Sequence, residues 1–557
     1  MDRVVVAGTK GRGPATQLTG GQALVQCLKA QGVEVVFGLP GIQLDWLFDA
    51  LYYERDAIRV YHTRHEQAVS YMADGYARTT GRVGTCVMVP GPGVLNAMAG
   101  LATAYACSSP VLCLTGQIPS HQIGAGRGLL HEIKDQLTSL RSVTKWAARA
   151  NRPEEIPPLM REAFWQLQSG HVRPVAIEVP LDVLQAAGEV TAIDRVEPER
   201  QPGDPEVMER VAKALGAAER PIIFTGGGVL QSGAWEPLQH LAEMLQAPVV
   251  MSRNGRGALS DRHYLAQIMV AAQHLLPTSD VVLAVGTRFL EPAGSSWGPH
   301  ESQTVIQIDI DPEEIGRNAK VAVGVVADAH DALADLVTRV PRHNRKRTSR
   351  EDELTAVRQK VRDLLCAVEP QASYAMAIRE VLPDDGILVS ESTQVGYWAQ
   401  WGGFPVYQPR TLITSGYQGT LGYGFATALG VQVGAPSRNV VSINGDGGFM
   451  YNVQELSTMV RHRLAVVTIV FNDNAYGNVR RIQKESFGGR LIASDLTNPD
   501  FVKMAESFGV DGRRARSPQE LRSVLGQALG SGRPSLIEVP VAEMPNPFPI
   551  FRAGYRG

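Results

Sequence analysis

Long apolar runs are missing from this sequence: none reaches the ~18 residues that a membrane-spanning helix requires. Cysteine is scarce. The five present, Cys27, Cys86, Cys107, Cys113 and Cys366, are odd in number and form no CxxC pair. That argues against a disulfide framework and against a structural zinc site. An excess of one charge is missing too, with 54 Lys and Arg against 56 Asp and Glu. No general attraction to nucleic acid or to an anionic membrane is therefore expected. The densest basic stretch, "RHNRKR" at 342–347, lies in a polar segment and reads as a solvated linker. The start, "MDRVVVAGTKGRG", has too short an apolar run for a secretory signal. The expectation is a cytoplasmic protein with reduced thiols.

What the chain does have is ordinary globular composition, 44% hydrophobic and 20% charged over 557 residues. At that length about three to four domains are expected. Short β-branched runs alternate with longer helix-like stretches. Examples are "VEVVFG", "GTCVMV", "PVLCLTG", "PIIFTG", "DVVLAVG", "GILVSE" and "LAVVTIVF". The runs are continuous rather than alternating, as in strands buried on both faces. The fold class is therefore α/β, with mostly parallel sheets flanked by helices.

Two polar stretches, roughly 186–205 and 341–353, leave three blocks. The first and third blocks end alike, "RPVAIEVP" at 173–180 and "RPSLIEVP" at 533–540. This echo predicts related folds for those two blocks.

The strand "RNVVSI" runs into "NGDGG" and then into a helical pattern with Val453, Leu456, Met459 and Val460 on one face. Ligands of open α/β sheets sit at the carboxyl ends of strands. The amides of Gly447 and Gly448 suit phosphate, and Asp446 suits a divalent cation. Alone, Gly-Asp-Gly is a common turn. The next strand, however, ends in "NDNAYG", and Asp473 follows Asp446 by 473 − 446 = 27 residues. That is about the length of one strand–helix–strand unit. Such a unit places Asn472, Asp473 and Asn474 beside Asp446, two oxygen-rich strand ends fit for a hard cation.

"GDGGF…NDNAYG" resembles the cofactor motif of thiamine diphosphate-dependent enzymes of the acetolactate synthase and benzaldehyde lyase superfamily. The resemblance implies magnesium held by Asp446, Asp473 and the carbonyl of Ala475, with Gly445, Gly447, Gly448 and Tyr476 around the cofactor. The family usually has Asn where Asp473 stands. "RHEQAVSYMADGYAR" at 64–78 is similar to the family segment whose glutamate acts at N1′ of the aminopyrimidine, here Glu66. By itself Glu66 is a carboxylate in the first turn of a helix, where the dipole favours it. "FGLPG" at 37–41 and "PGPGVLNAMAGLA" at 90–102 resemble the loops around the pyrimidine ring, giving Pro40 and Asn96. In "SGYQGTLGYG", the resemblance makes Leu421 the wedge beneath the cofactor and the carbonyl of Gly419 an acceptor for its 4′-amino group. In "STQVGYWA", read as a loop, it assigns Thr393 and Gln394 to the diphosphate.

The likeness covers about residues 17–541 and implies three domains: pyrimidine-binding (17–186), middle (205–340) and diphosphate-binding (370–545). It implies a homodimer at least, and a homotetramer. Two reactions stay open. "LTGQIP" and "IDIDPEEIGRN" look like acetolactate synthase, which decarboxylates a 2-oxo acid and joins the remainder to a second carbonyl. "DQ" at 135–136 and "VTKWAARA" are closer to benzaldehyde lyase, so a lyase or decarboxylase of 2-hydroxyketones or 2-hydroxyacyl-CoA is the alternative. A non-catalytic relative is a remote third reading, against which Glu66, Asp446 and Leu421 argue. Gln43, Gln117, His131 and Ile482 are the candidate substrate-pocket residues. FAD is possible, but "SDRHYLAQIMVAAQHLLPTSD" is shorter and poorer in Gly than the matching segment of the flavin-containing synthases, which weighs against it.

Overall fold

A computed structural model describes residues 15–289 and 299–552, with backbone alone at 551 and 552. These residues form two compact units. One comprises the chain up to Glu199 together with Leu429–Gly434 and Asn452–His462; the other comprises Arg200–Ala428, Ala435–Tyr451 and the chain from Arg463.

In the first unit the strands are β1 (Thr16–Thr19), β2 (Val35–Gly38), β3 (Arg59–His62), β4 (Gly84–Met88), β5 (Val111–Gln117), β6 (Trp146–Arg149), β7 (Val175–Pro180) and β8 (Ala187–Val190). β1 and β8 pair antiparallel, so the first polar stretch begins as a strand. The other six form a parallel sheet ordered β3-β2-β4-β5-β7-β6. The apolar runs β4, β5 and β7 are buried along their whole length, which explains why they do not alternate.

The second unit holds two sheets. The first contains β9 (Ile222–Thr225), β10 (Val249–Met251), β11 (Ala266–Ile268), β12 (Val281–Val285), β13 (Thr304–Asp309) and β14 (Val323–Val326), ordered β11-β10-β9-β12-β13-β14. The next contains β15 (Ile387–Ser390), β16 (Leu412–Thr414), β17 (Val440–Gly445), β18 (Val466–Asn472), β19 (Asp511–Arg514) and β20 (Ser535–Pro540), ordered β16-β15-β17-β18-β20-β19. Counted within each sheet in chain order, the sheets starting at β2 and β15 share one order, 2-1-3-4-6-5. The expectation of related first and third blocks holds. The middle sheet is different, 3-2-1-4-5-6, the order of dinucleotide-binding folds.

Three local expectations change. The basic stretch is not simply a solvated linker: Arg347 donates to the carbonyls of Leu215, Gly216 and Ala218 at 2.8–3.1 Å. It thereby satisfies carbonyls that the end of helix Pro205–Ala217 leaves over. "STQVGYWA" is not a loop, because Thr393 starts a short helix, Gln394–Trp398, that continues into a wider turn. The helix expected after "GDGG" is broken: a tight turn, Met450–Glu455, bends at Asn452 (φ −127°) before helix Leu456–Arg461. Leu456 and Met459 are buried as the spacing predicts.

Helices Glu66–Thr80 and Pro92–Ala106 lie in close contact. A Cβ on Gly100 would stand 2.1 Å from Ser70 Oγ, and Ser70 donates to the Ala97 carbonyl at 2.9 Å. Only glycine permits this approach, which fixes the starts of the two helices side by side.

Candidate active site

In the first unit, Glu66 is the first residue of its helix, and the His65 ring caps the helix by accepting from Gln67 N at 3.2 Å. Its side chain is 8% exposed. Asn96, an exposed residue of the neighbouring helix, donates to Glu66 Oε2 at 3.0 Å. The turn before Glu66 is gripped by the Glu455 carboxylate, which accepts from Arg64 N at 3.0 and 3.1 Å and from the Thr458 hydroxyl at 2.6 Å. Burial raises the Glu455 carboxyl above its usual range.

A second cluster lies over the ends of β2, β4 and β5. Gln43 Oε1 and His131 Nδ1 are 2.9 Å apart, and Gln43 Nε2 donates to the Leu130 carbonyl at 3.1 Å. His131 has φ +69°, and its carbonyl packs on Gly91 so closely that a Cβ there would come within 2.3 Å. Gln117 is buried and engaged with Ile118 N and Glu178. Gln136 ties these loops together, accepting from Gly91 N and donating to the Gly116 carbonyl and to Glu178. Pro40 is exposed on the loop after β2.

In the second unit, the register pairs Gly445 with Phe471, so Asp446 and Asn472–Asn474 leave adjacent strands side by side, as the spacing predicts. Asp446 is 2% exposed; its Oδ1 accepts from Gly447 N at 2.8 Å and its Oδ2 from Asn498 Nδ2 at 2.6 Å. The Asn498 amide also reaches Asn472 Oδ1 at 3.0 Å. Burial raises the Asp446 carboxyl, against the pull of the facing amides of Gly447, Asn498, Ala475 and Asn474. Asp473 is pushed up to about 6, by burial first and then by the charge of Asp446. Two adjacent carboxylates, both raised by burial and one raised further by the other's charge, form a site a divalent cation would relieve.

Around them, Thr393 Oγ1 would be 3.3 Å from a Cβ on Gly445, and the Tyr476 ring 2.6 Å from one on Gly447. The approach at Gly447 needs glycine, and that at Gly445 is tight. Gln394 is buried with its Oε1 unpartnered. Gly419 is exposed at φ +59°, and Leu421 is half-buried two residues on. Ile482 lies on helix Gly477–Ser486, 39% exposed.

Asn498, Glu455 and Glu391 were not singled out in the sequence, and Gln136 only as part of "DQ" at 135–136. Glu391 closes the strand run "GILVSE", just before Thr393. A lone acid at the end of an apolar strand, as at Asp446, was the signal available for it. Asn498 sits in an irregular stretch and offered none, while Gln136 opens the helix Gln136–Arg141.

The family-model comparison divides the chain in three. Residues 18–139 match the N-terminal TPP binding domain of thiamine pyrophosphate enzymes, 208–336 their central domain and 391–539 their C-terminal TPP binding domain. Among curated proteins, one named "Probable acetolactate synthase large subunit" from Methanocaldococcus jannaschii is 36% identical, covering 94% of this chain and 92% of the relative. Acetolactate synthase isozyme 3 large subunit of Escherichia coli is 32% identical, covering 92% of each. A protein named "Probable 2-ketoarginine decarboxylase" from Pseudomonas aeruginosa is 34% identical over 94% of each. With relatives this similar along nearly its whole length, the chain belongs to the thiamine pyrophosphate-dependent enzymes of the acetolactate synthase-like superfamily.

Proposed function

We propose that the protein decarboxylates a pyruvate-type 2-oxo acid and joins the remaining fragment to a second carbonyl, using thiamine diphosphate anchored by magnesium. The observation that carries this reading is Glu66, a buried carboxylate held by Asn96 at a helix start, within the stretch that matches the N-terminal TPP binding domain. Bound thiamine diphosphate supplies a nucleophilic carbon and a cationic ring that takes up electron density.

The chain's own residues divide the remaining work. Glu66 holds the proton at N1′ of the aminopyrimidine, and Asn96 fixes which of its oxygens is free. Asp446, Asp473 and the Ala475 carbonyl hold the metal, and the amides of Gly447 and Gly448 face the diphosphate with Gly445, Thr393, Gln394 and Tyr476. The Gly419 carbonyl and Leu421 orient the ring system, and Pro40 lines its edge. The donor set fits the group: adjacent raised carboxylates, glycine cradles under Thr393 and Tyr476, and an unpartnered buried Gln394 oxygen.

Gln43, Gln117, His131 and Ile482 are the proposed substrate-facing residues. The proposed assembly is a homodimer at least, and a homotetramer. Large apolar side chains stand exposed on the site segments: Ile42 (56%), Leu95 (50%) and Leu130 (62%) in the first unit, and Met450, Tyr451 and Val479 in the second. Covering such groups is what subunit association does. Among the described residues no helix is long and apolar enough to cross a membrane. A cytoplasmic location is part of the proposal.

A second reading, decarboxylation without carboligation, is favoured by the Gln43–His131 pair, which places a hydrogen-bonding imidazole among the loops at the strand ends. The test is incubation of the enzyme, loaded with thiamine diphosphate and magnesium, with a panel of 2-oxo acids and hydroxyketones, with carbon dioxide and products followed by mass spectrometry. A condensed product from pyruvate supports the synthase reading. Aldehyde alone supports the second, and inertness toward every member sinks both.

A further inference from the structure

Glu391 is a buried acid with an unmet need. It follows β15, is 1% exposed, and donates its backbone N–H to the Ile443 carbonyl at 3.0 Å. Its Oε1 accepts from Gly422 N at 2.7 Å, and its Oε2 has no partner. Three glycine segments crowd it. A Cβ on Gly448 would come 2.2 Å from Oε1, one on Gly424 would come 3.0 Å from the Glu391 Cβ, and one on Gly396 would come 2.0 Å from the Glu391 carbonyl. No Lys, Arg or His among the described residues forms an ion pair with it. The carboxyl is pushed up to about 8 by burial, opposed only by the amides of Gly422 and Gly424.

Its place in the sheet is informative. Strand order reverses between β15 and β17, with β16 on the far side of β15. The crevice at such a reversal is where an open α/β sheet takes its ligand. The three segments around Glu391 are those of Leu421, of Gly447–Gly448 and of Thr393–Gln394.

A buried carboxyl with an orphaned oxygen either keeps a proton or meets a cation. The diphosphate cannot be that partner, since it is an anion, and the proposed magnesium already has Asp446, Asp473 and the Ala475 carbonyl as its ligands. The cofactor carries one permanent positive charge, on its thiazolium ring. We propose that Glu391 is the counter-charge to that ring: ionised in the loaded enzyme, it selects a cationic ring over a neutral one of the same shape. This rests on the thiamine diphosphate reading above.

The test measures binding, by calorimetry on the full chain with saturating magnesium, of thiamine diphosphate and of thiamine thiazolone diphosphate, whose ring is neutral. Glu391→Gln keeps the Gly422 hydrogen bond and the volume. The expected result is a loss of at least tenfold in affinity for thiamine diphosphate, with less than threefold change for the thiazolone. Equal losses, or no loss for either, overturn the proposal. Failure of the wild type to bind either compound overturns the cofactor reading instead.

The wild type alone provides a second readout should the variant fold poorly. No charged side chain shifts Glu391; Tyr397 is the titratable neighbour its charge acts on, itself faced by Arg253 and Arg481. The preference for the charged ring over the neutral one should rise by up to about tenfold per pH unit from pH 6 toward 8, as the free enzyme's carboxyl ionises. A flat ratio across that range counts against Glu391.

Discussion

Glu178 and Glu538 occupy the same place in two sheets of the same strand order. Each lies on the fifth-positioned strand and pairs with an arginine directly across on the edge strand, Arg149 with Glu178 and Arg514 with Glu538. Each also accepts from a side chain at the end of the strand on its other side, Gln117 and Asn472. Those two strand ends pair in register with Pro180 and Pro540, which close the echoed sequences. The buried acid thus locks the strand ends from which the site loops spring.

Removing one partner of such a pair leaves a desolvated charge behind. Arg149 is 24% exposed, so solvent recovers part of the cost. Arg149→Met is expected to destabilise the first unit by about 1–3 kcal/mol. Arg149→Met with Glu178→Leu should regain much of that loss. Urea unfolding followed by circular dichroism measures both, and a single variant no less stable than wild type would refute the locking role.

Glu66 and Asn96 make a graded prediction. Glu66→Gln keeps the Asn96 contact but cannot exchange a proton, so turnover should fall about 10²–10⁴-fold with cofactor binding preserved. Asn96→Ala leaves Glu66 in place and removes one hydrogen bond to a charged group, a loss of about 10–100-fold. Steady-state rates beside cofactor titrations decide it. Near-normal turnover in Glu66→Gln would remove Glu66 from the chemistry.

The site was legible where chemistry sits next to a strand end in a compact motif. Asp446 and Asp473 could be paired because one crossover has a fixed length, and β17 and β18 do lie in that register. Glu66 was readable through its segment, although its partner Asn96 belongs to a different helix. The echoed strands revealed two related sheets, while nothing in the sequence signalled the different order of the middle one. Glu455, Asn498 and Gln136 act across long stretches of chain, and no local pattern marks a residue's distant partner. The helix broken at Asn452 was missed because spacing reports which face is buried, not whether the backbone turns between the buried positions.

His462 gives the protein a specific sensitivity to acid. It is pushed down to about 4 by burial first and then by His62, and its ring lies 4.9 Å from the Tyr61 ring. A histidine depressed when folded binds its proton more readily when unfolded. Stability is therefore unaffected above about pH 6.5, declines as pH falls toward 4, and is lost no further below that. His462→Gln should flatten the decline between those limits, as read by thermal melts at half-unit pH steps. A variant with the wild-type slope would place the acid sensitivity elsewhere.

The middle sheet has the strand order of a dinucleotide-binding fold, yet the segment 260–280 that follows β10 carries no glycine. A Cβ on Gly226 would come 2.2 Å from the Gly286 carbonyl, and one on Gly228 would come 2.7 Å from Gly286 Cα. The backbone after β12 thus packs on Gly226 and Gly228 of the turn after β9, while Gly227 between them meets nothing nearer than Asn254 at 3.5 Å. The purified protein is expected to be colourless. A flavin band in its visible absorption spectrum would overturn this, and heat-released flavin would identify the bound group.

His131 and Gln43 should set the fate of the substrate rather than its first activation. Their hydrogen bond lies among the loops at the strand ends, while Glu66 has its own partner in Asn96. His131→Ala deletes the imidazole and leaves Gln43 with its bond to the Leu130 carbonyl. Carbon dioxide release should then change by less than about tenfold, while the ratio of condensed product to aldehyde shifts by more than that. Gln43→Ala, which frees the ring but keeps it, should shift the ratio in the same direction and by less. If both variants keep the wild-type product ratio while total turnover falls, the pair is structural, and its work is to hold the backbone at Gly91 and Leu130.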